Sequence, residues 1–266
     1  MSERPIALIT GASAGLGVAF ARELARRGCD LVLVARRVER LERVAAELRQ
    51  AFDVEVEELP ADLADLQDIL RVEQRIAALD RLEYLVNNAG FGVRGLFVDS
   101  DIERHTALQH VHMLAPLRLS HAALRGMLRR RHGNIINVSS LASFLAMPGA
   151  VNYNASKAYL NTFSKALASE LSKSGVRIQA LCPGFIYTEF HSTPEYASLN
   201  AYERIPRFFW DSPERVVAAS LRALPHGPVV YVPFLKNKVI ALGGQIGFIG
   251  MIYAILISWF RRRRRM

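Results

Sequence analysis

A tyrosine and a lysine four residues apart could carry out proton transfer. Tyr153 and Lys157 stand in the segment Tyr-Asn-Ala-Ser-Lys, within a stretch whose pattern predicts a helix over about residues 151–174. Residues i and i+4 share a helix face, so the two side chains are expected to be neighbours. A phenol with its ordinary pKa of about 10 is a poor acid or base at neutral pH, and a nearby ammonium lowers that pKa. The pair predicts a proton-exchanging phenol; two solvated residues on one helix face are the alternative.

Two serines stand where a substrate oxygen could be held. Ser139 and Ser140 follow an apolar run, residues 134–138, that predicts a buried strand. Open α/β sheets bind ligands at the carboxyl ends of their strands. A hydroxyl at that edge can hydrogen-bond a carbonyl oxygen, so the two serines are candidates for orienting a substrate.

A glycine-rich turn links the first predicted strand to the first predicted helix. Residues 10–17 are Thr-Gly-Ala-Ser-Ala-Gly-Leu-Gly. Glycines let the backbone approach a pyrophosphate closely, and the helix start offers free N–H groups and the positive end of its dipole. A plain tight turn is the alternative, because Gly-x-x-x-Gly-x-Gly differs from the common Gly-x-Gly-x-x-Gly. The candidate cofactor contacts in this turn are Gly11, Ser13, Gly15, Leu16 and Gly17.

The residues after the second predicted strand favour NADP(H) as the cofactor. Many NAD-binding folds place an acidic residue there to bind the ribose 2′-hydroxyl, whereas this chain has Arg36 and Arg37. A guanidinium can bind a 2′-phosphate in fork geometry, and a carboxylate would repel it. Two solvated arginines at a helix start are the alternative. Asp62, after the third predicted strand, is expected to meet the adenine edge, although it would also fit as a helix cap.

Short apolar runs alternate with amphipathic helical patterns through most of the chain. Runs that are apolar throughout predict strands buried on both faces, and strand–helix alternation predicts a parallel sheet. We therefore expect an α/β fold: a single doubly wound Rossmann domain over residues 1–238, followed by a hydrophobic C-terminal segment over 239–266. The predicted strands are 5–10, 30–35, 54–59, 82–86, 134–138, 176–182 and 229–233, and the predicted helices are 18–27, 38–51, 66–79, 102–131, 151–174 and one beginning at Pro213.

With these elements in order, the chain resembles the short-chain dehydrogenase/reductase (SDR) family over about residues 5–233. The motifs stand in the family's order and spacing, and their joint occurrence is highly specific. They are the glycine turn 10–17, Asp62, Asn87-Asn88-Ala89-Gly90, Asn137-Val138-Ser139-Ser140, the segment 153–157 and Pro183-Gly184.

The resemblance implies a hydride transfer with assigned roles. Tyr153 exchanges the proton with the reacting oxygen, and Ser140, thirteen residues before it, hydrogen-bonds that oxygen. Lys157 holds the nicotinamide ribose and lowers the pKa of the tyrosine, while the cofactor carries the hydride. Further cofactor contacts implied by the family's motifs are Asn88, Ala89 and Gly90 in the cleft, with Pro183, Gly184 and Thr188 at the nicotinamide end.

One position departs from the family's pattern. Many members carry an asparagine in the helix before the serine strand, where it helps to hold a water of the proton relay; the aligned residue here is His112. An imidazole could hold a water or relay a proton itself. The alternative is a helix histidine that only fills space.

An aromatic stretch over residues 185–210 is expected to cover the active site. A cover this aromatic suits an apolar substrate, because ligand pockets are lined mainly by apolar groups. The alternative is that these rings pack on the domain core. They are Phe185, Phe190, Tyr196, Tyr202, Phe208, Phe209 and Trp210.

The charge of the chain is concentrated at its C-terminal end. The formal net charge is +9, and Arg261 to Arg265 supply five of these charges, so the remaining +4 gives no reason to expect nucleic-acid binding. Only two cysteines occur, both in apolar runs, and no secretory signal is recognised, which together predict a reducing, cytoplasmic location. No metal site is expected.

The C-terminal run predicts attachment to the cytosolic face of a membrane. Residues 239–260 form an uncharged run that is long enough to span a bilayer. However, Gln245 and four glycines make this run a weak helix former. A single span would also put the arginines on the side opposite the domain. A monotopic or re-entrant insertion through 239–265 keeps both on the cytosolic side, and a tail packed on a partner subunit is the alternative.

Together these features predict an NADP(H)-dependent oxidoreductase of a lipophilic carbonyl or alcohol. The candidate substrates are 3-ketoacyl derivatives, fatty aldehydes and steroid-like ketones, and a homodimer or homotetramer is expected. Within enzymes the alternative is an NAD-dependent sugar or polyol dehydrogenase. A protein of another class, a scaffold that binds NADP(H) without turnover, is the second alternative.

Overall fold

Seven strands of this α/β protein overlap the seven strands predicted from the sequence. A computed structural model describes residues 4–193 and 201–245. In chain order the strands are β1 Ile6–Thr10, β2 Asp30–Ala35, β3 Val56–Pro60, β4 Leu82–Asn87, β5 Gly133–Val138, β6 Val176–Leu181, β7 Phe185–Ile186, β8 Trp210–Asp211 and β9 Val230–Tyr231. Seven of them form one parallel sheet in the order β3-β2-β1-β4-β5-β6-β9, and β7 pairs with β8 in a small second sheet.

Helices cover both faces of the large sheet, as its two-sided burial requires. They are α1 Gly15–Arg26, α2 Val38–Ala51, α3 Leu66–Ala77, α4 Ile102–Gln109, α5 Ala115–Arg130, α6 Val151–Glu170, α7 Ala201–Arg204, α8 Pro213–Ala223 and α9 Leu235–Gln245. One core contains side chains of α1, α2 and α8, and the other contains side chains of α3 and α5. Alternate residues of β1 and β2 enter each core, which is why both strands are apolar except for one residue each, Thr10 and Asp30. The doubly wound parallel fold is thereby confirmed.

The strand order creates a crevice beside β1. The chain runs from β1 outward to β3 and then returns to place β4 on the other side of β1. At such a reversal the loops after the two neighbouring strands separate and leave room for a ligand. The residues that follow β1 and β4 are the glycine turn and the segment Asn88-Ala89-Gly90.

The predicted helical region over residues 102–131 is present, but it is not one regular α-helix. The region consists of α4 and α5 joined by a π-helical turn, His110–Leu114, in which the N–H of Ala115 donates to the carbonyl of His110. Pro116 has no N–H to donate to the carbonyl of His112, four residues earlier, which disfavours a regular α-helical ladder at this point. The widened turn places His112 in the protein interior.

The C-terminal helix packs against the domain. α9 crosses residue 238, the predicted domain boundary, and Ala241 is buried beyond it. The wider prediction for the tail, through residues 246–266, lies outside the described residues. Within residues 4–193 and 201–245, none of the helices combines the length and the hydropathy that crossing a bilayer requires.

Candidate active site

The glycine turn packs closely against the loop after β4 and against Thr188. Gly11 and Gly15 have φ angles of +66° and +55°, a region that favours glycine. A Cβ built on Gly11 would lie 2.9 Å from the Cα of Ala89, and one on Gly15 would lie 3.0 Å from Cγ2 of Thr188. A Cβ on Gly17 would lie 2.2 Å from the carbonyl oxygen of Gly11. All three glycines are therefore required by close packing of the turn.

Hydrogen bonds from Thr10 hold the β1 and β4 loops together. The Oγ1 of Thr10 accepts from the backbone N–H of Asn88 at 2.9 Å and of Ala89 at 3.0 Å. The Asn88 side-chain amide donates back to the carbonyl of Thr10 at 2.8 Å. These bonds fix the two strand ends that border the crevice.

The serine and the lysine are anchored by the backbone of β5 and α6. The ammonium of Lys157 donates to the carbonyl of Val138 at 2.9 Å, and Oγ of Ser139 donates to the carbonyl of Lys157 at 2.8 Å. Ser140, the last of the predicted serines, accepts a hydrogen bond from the N–H of Ala142 at 3.1 Å. Tyr153 lies on the same wall, with Lys157 Nζ 5.8 Å from the centre of its ring.

Burial controls the protonation of these groups in the free protein. Burial lowers the pKa of Lys157 to about 8 and raises the pKa of Tyr153 to about 12, although the hydrogen bond with Ser140 acts to lower the latter. The proposed lowering of the tyrosine pKa by Lys157 is therefore not seen in this state. The ammonium is directed at the Val138 carbonyl and is itself desolvated.

His112 has both ring nitrogens in hydrogen bonds. Its Nε2 accepts from the backbone N–H of Phe91 at 3.1 Å. Its Nδ1 is 2.9 Å from Oγ of Ser156, and that hydroxyl donates to the carbonyl of Tyr153 at 2.8 Å. The hydroxyl proton is therefore used, so Nδ1–H must be the donor and the imidazole is neutral. Burial first and the charge of Lys157 second hold its pKa well below the usual value.

The arginines after β2 are bound to carboxylates. Arg36 pairs with Asp62 at 3.7 Å. Arg37 donates to Oγ of Ser13 at 3.1 Å and also to the carboxylate of Glu189, which accepts a second bond from Arg40 at 2.5 Å. Neither Glu189 nor Arg40 was predicted from the sequence, because Glu189 comes 152 residues after Arg37 in the chain.

One cavity of about 800 Å³ brings the predicted site together. Every predicted site residue except Gly17 lines it: Gly11, Ser13, Gly15, Leu16, Arg36, Arg37, Asp62, Asn88, Ala89, Gly90, His112, Ser140, Tyr153, Lys157, Pro183, Gly184 and Thr188. Gly17, the last residue of the glycine turn, packs instead against the backbone of Gly11. The arginines lie at one end of the set and the tyrosine near the other, joined by the glycine turn.

The aromatic stretch divides between the cavity and its own small core. Phe185 and Phe190 line the cavity, and the Phe190 ring centre lies 6.1 Å from that of Tyr153. Trp210 is buried and stacks on Tyr187 and Tyr202 at 5.0 and 4.6 Å. Phe208 is 71% exposed, and Tyr196 lies outside the described residues. Some of these rings thus line the cavity, while others stack on one another.

The walls beyond Tyr153 are mainly aliphatic. They include a helix residue, Ile240 of α9, that the sequence had not assigned to the site. α9 is seated closely there, because a Cβ on Gly184 would lie 2.6 Å from Oδ1 of Asn237 and one on Gly244 would lie 2.5 Å from the carbonyl of Phe144. Two arginines, Arg94 and Arg204, also line the cavity. Further apolar residues of the lining are Leu141, Leu145, Met147, Ile186 and Ile205.

The residues present fit a dinucleotide. The glycines leave a cradle that a Cβ would fill, the start of α1 faces the cavity at Gly15 and Leu16, and cationic side chains stand at one end. An anion at the cradle would meet backbone N–H groups, and one near Arg36 and Arg37 would meet guanidinium donors. The donor set therefore suits a pyrophosphate and a second phosphate.

Comparisons with known proteins agree with this arrangement. The family model described as short chain dehydrogenase matches residues 5–196. Nodulation protein G of Rhizobium sp. (strain N33) is 42% identical over 182 residues, which cover 68% of this chain and 72% of that protein. The 3-oxoacyl-(acyl-carrier-protein) reductase FabG of Aquifex aeolicus (strain VF5) is 31% identical over 235 residues, covering 85% and 95% of the two chains.

A solved structure shares the fold over most of its length. It is the short-chain dehydrogenase from Sphingobium yanoikuyae in complex with NADPH, with a TM-score of 0.80 and 35% sequence identity. The alignment covers 90% of this chain and 92% of that one.

Proposed function

Since the chain belongs to the short chain dehydrogenase family, and is accordingly an oxidoreductase, we propose that it transfers hydride between NADP(H) and the carbonyl or secondary alcohol of a lipophilic substrate. The observation that carries the proposal is the continuity of the cavity. It runs from the arginines after β2, past the glycine turn, to Ser140 and Tyr153, and on to aliphatic walls.

Each catalytic side chain has a role that its position supports. When bound, the nicotinamide supplies or accepts the hydride. Tyr153 protonates the carbonyl oxygen during reduction or removes the alcohol proton during oxidation, and Ser140 hydrogen-bonds the same oxygen. Lys157 holds the cofactor ribose from the base of the site. His112 acts as a positioning residue, because its ring ties the Phe91 backbone to the helix turn that carries Tyr153.

The charge at the adenosine end supports NADP(H) over NAD(H). Arg36 and Arg37 follow β2, where the adenosine ribose lies in this fold, and Arg37 also contacts the glycine turn through Ser13. Charge-assisted hydrogen bonds contribute roughly 1.5–3 kcal/mol each, so two of them could give at least about a hundredfold preference for the 2′-phosphate. The Sphingobium relative, whose structure contains NADPH, lends the same support.

The substrate end supports an acyl chain on an anionic carrier. Its aliphatic walls suit a hydrocarbon chain, and Arg94 and Arg204 on the lining suit a phosphate or carboxylate. A 3-ketoacyl thioester combines both features, and the Aquifex relative is named for that substrate class. Fatty aldehydes and steroid-like ketones fit the walls without using the arginines.

A panel of carbonyl compounds tests this assignment. Purified protein is assayed for NADPH and NADH oxidation with a 3-ketoacyl thioester, a long-chain aldehyde, a ketosteroid and a ketose, using Tyr153→Phe as the inactive control. We expect turnover of the 3-ketoacyl thioester with NADPH. Ketose reduction with NADH as the preferred pair would replace the proposal with a sugar or polyol dehydrogenase. NADPH binding without turnover of any compound would indicate a scaffold.

We also propose that the C-terminal segment attaches the catalytic domain, residues 1–238, to the cytosolic face of a membrane. α9 already presents an exposed apolar row at helical spacing, Leu235, Val239 and Leu242, and the uncharged run continues to residue 260 before the arginines. Full-length protein should sediment with vesicles and resist a salt wash. Changing Arg261 to Arg265 to glutamine should weaken binding to anionic vesicles only. A wild-type chain that stays in the supernatant with both anionic and uncharged vesicles would refute the attachment.

A further inference from the structure

Glu189 connects two parts of the cavity that are far apart in sequence. It begins the 3₁₀ turn Glu189–Ser192 at the substrate end, yet its carboxylate accepts hydrogen bonds from Arg37 and Arg40 at the adenosine end. Arg40 lies on α2, one turn after Arg37. We call this set of three side chains the Glu189 bridge.

The bridge uses donors that a phosphate would also need. Arg37 follows β2 and contacts Ser13 of the glycine turn, so its guanidinium lies where the 2′ end of an adenosine ribose is bound in this fold. A carboxylate and a phosphate both bind the guanidinium fork through paired oxygens. In the free protein the carboxylate of Glu189 therefore fills the role of the phosphate.

The two anions cannot share these arginines without repulsion. A phosphate monoester carries about −1.5 to −2 charges and three acceptor oxygens, against one charge on the carboxylate. The side chains of the bridge are 41–48% exposed, so the bridge is a surface ion pair of low net stability. Partial burial acts to raise the pKa of Glu189, but the two arginines outweigh it, and the carboxylate is charged at neutral pH.

We propose that the 2′-phosphate of NADP(H) competes with Glu189 for Arg37 and Arg40, displaces the carboxylate and frees the turn Glu189–Ser192. The inference rests on the proposed NADP(H) dependence. It makes Arg40 a third phosphate ligand and Glu189 a residue that limits the preference for NADP(H). NAD(H) has a 2′-hydroxyl in place of the phosphate and leaves the bridge in place.

Displacement of the Glu189 carboxylate would also affect the surroundings of Tyr153. Phe190 follows Glu189 in the same turn, and its ring lies beside Tyr153. Release of the carboxylate thus loosens a wall of the substrate cavity when the phosphorylated cofactor arrives.

Two adenosine fragments isolate the effect of the phosphate. Adenosine 2′,5′-bisphosphate and adenosine 5′-monophosphate differ only at the 2′ position, and calorimetry gives their affinities for the full chain. We expect Glu189→Gln to bind the bisphosphate roughly fivefold more tightly than wild type, because a competing charge is gone, and to bind the monophosphate within about twofold of wild type. Glu39→Gln, which removes an exposed charge from the start of α2, is the matched control and should change neither affinity.

Arg40 provides the reciprocal test. Arg40→Gln should weaken bisphosphate binding by roughly threefold and leave monophosphate binding unchanged. Arg43→Gln, one turn further along the exposed face of α2, should change neither affinity.

Hydrogen exchange gives a direct readout of the turn Glu189–Ser192. Amides of residues 187–193 should exchange faster with saturating bisphosphate than with saturating monophosphate, and Glu189→Gln should exchange fast without any ligand.

The outcomes separate this inference from the cofactor proposal. A wild type that prefers the bisphosphate, with an unchanged or weaker preference in Glu189→Gln, overturns the competition and leaves the cofactor proposal standing. A wild type without preference, with a variant that gains one, contradicts NADP(H) dependence and supports the competition. If neither protein discriminates, or if bound bisphosphate slows exchange at 187–193, the inference is wrong.

Discussion

The two ends of the cavity position their charges in opposite ways. At the catalytic end Lys157 is 4% exposed; its ammonium donates to the backbone carbonyl of Val138, and its own backbone carbonyl accepts from the hydroxyl of Ser139. At the adenosine end the side chains of Arg36 and Arg37 are 62% and 45% exposed, and their partners are other charged side chains. Geometry at the first end is set by the fold, and at the second by charge pairs that can exchange partners. Substitutions should therefore act steeply at one end and in graded, salt-dependent steps at the other.

The largest effect is expected at Tyr153. Tyr153→Phe removes the phenolic proton and leaves the ring, so kcat should fall by about 10³-fold or more, near the upper range of general acid–base catalysis. The dissociation constant of NADPH should change by less than about threefold, because the arginines and the glycine turn are untouched. Steady-state kinetics and fluorescence titration measure the two quantities. Activity within about tenfold of wild type would contradict the assigned role.

Lys157 separates activity from stability. Lys157→Met should lose turnover and NADPH affinity and yet unfold at a higher temperature. Burial lowers the lysine pKa from 10.5 to about 8, and each pKa unit corresponds to about 1.4 kcal/mol, so the buried ammonium costs on the order of 3 kcal/mol at pH 7. The lost bond to Val138 removes about 1 kcal/mol of that gain. Calorimetry should show a rise of roughly 4–8 °C.

The size of this stability effect depends on pH in a defined window. Between pH 8 and 10.5 the unfolded chain holds the Lys157 proton and the folded chain has released it. Wild-type stability attributable to this group therefore rises with pH across that window, and the advantage of Lys157→Met shrinks. Lys165→Met, on the exposed face of the same helix, is the control and should show no gain at either pH. An advantage of Lys157→Met that grows from pH 8 to 10.5 would refute the assignment.

A graded effect is expected at the arginines. Changing Arg36 and Arg37 together to alanine should lower the ratio of kcat/KM for NADPH over NADH by roughly a hundredfold. Raising the salt concentration should weaken NADPH binding to wild type more than NADH binding, since the charges are exposed and screened. Rates at both ionic strengths give the comparison. A native protein that prefers NADH would remove the cofactor assignment.

The smallest effect is expected at His112, a catalytic-end residue that carries no charge. Because its pKa lies well below the usual value, the imidazole stays neutral through the pH range of assay, and His112→Gln should lower kcat by about tenfold or less. The pH profile of kcat should keep the same acidic limb in both proteins. Loss of a limb near the ordinary histidine pKa in the variant would show that His112 transfers protons.

The parts of this molecule that sequence predicts best are those governed by local pattern. β2 is apolar after Asp30 because both its faces are buried, and its predicted bounds, 30–35, match the structure. The glycine turn could be predicted because its steric demand is a backbone property, and only glycine satisfies it. Seventeen of the predicted site residues line one cavity, and several of them, such as Asn88, Gly184 and Thr188, were assigned through the resemblance to the family.

The parts it missed depend on contacts across the fold. The Glu189 bridge joins residues 149 and 152 positions apart, and nothing near Glu189 in the sequence marks its partners. The π-helical turn depends on how Pro116 and the burial of His112 are accommodated together, which periodicity does not record. The position of Ile240 in the cavity lining was missed because this residue lies in the uncharged run 239–260, which its composition predicts to attach to a membrane.

Neighbouring residues of α9 face different surroundings. Ile240 faces the substrate cavity, while Val239 and Leu242 face outward and are 63% and 59% exposed. Evolution can therefore retune substrate choice at one position without altering what the outer surface meets at the next. It also follows that exchanging this helix between related enzymes would transfer part of their substrate preference along with the tail.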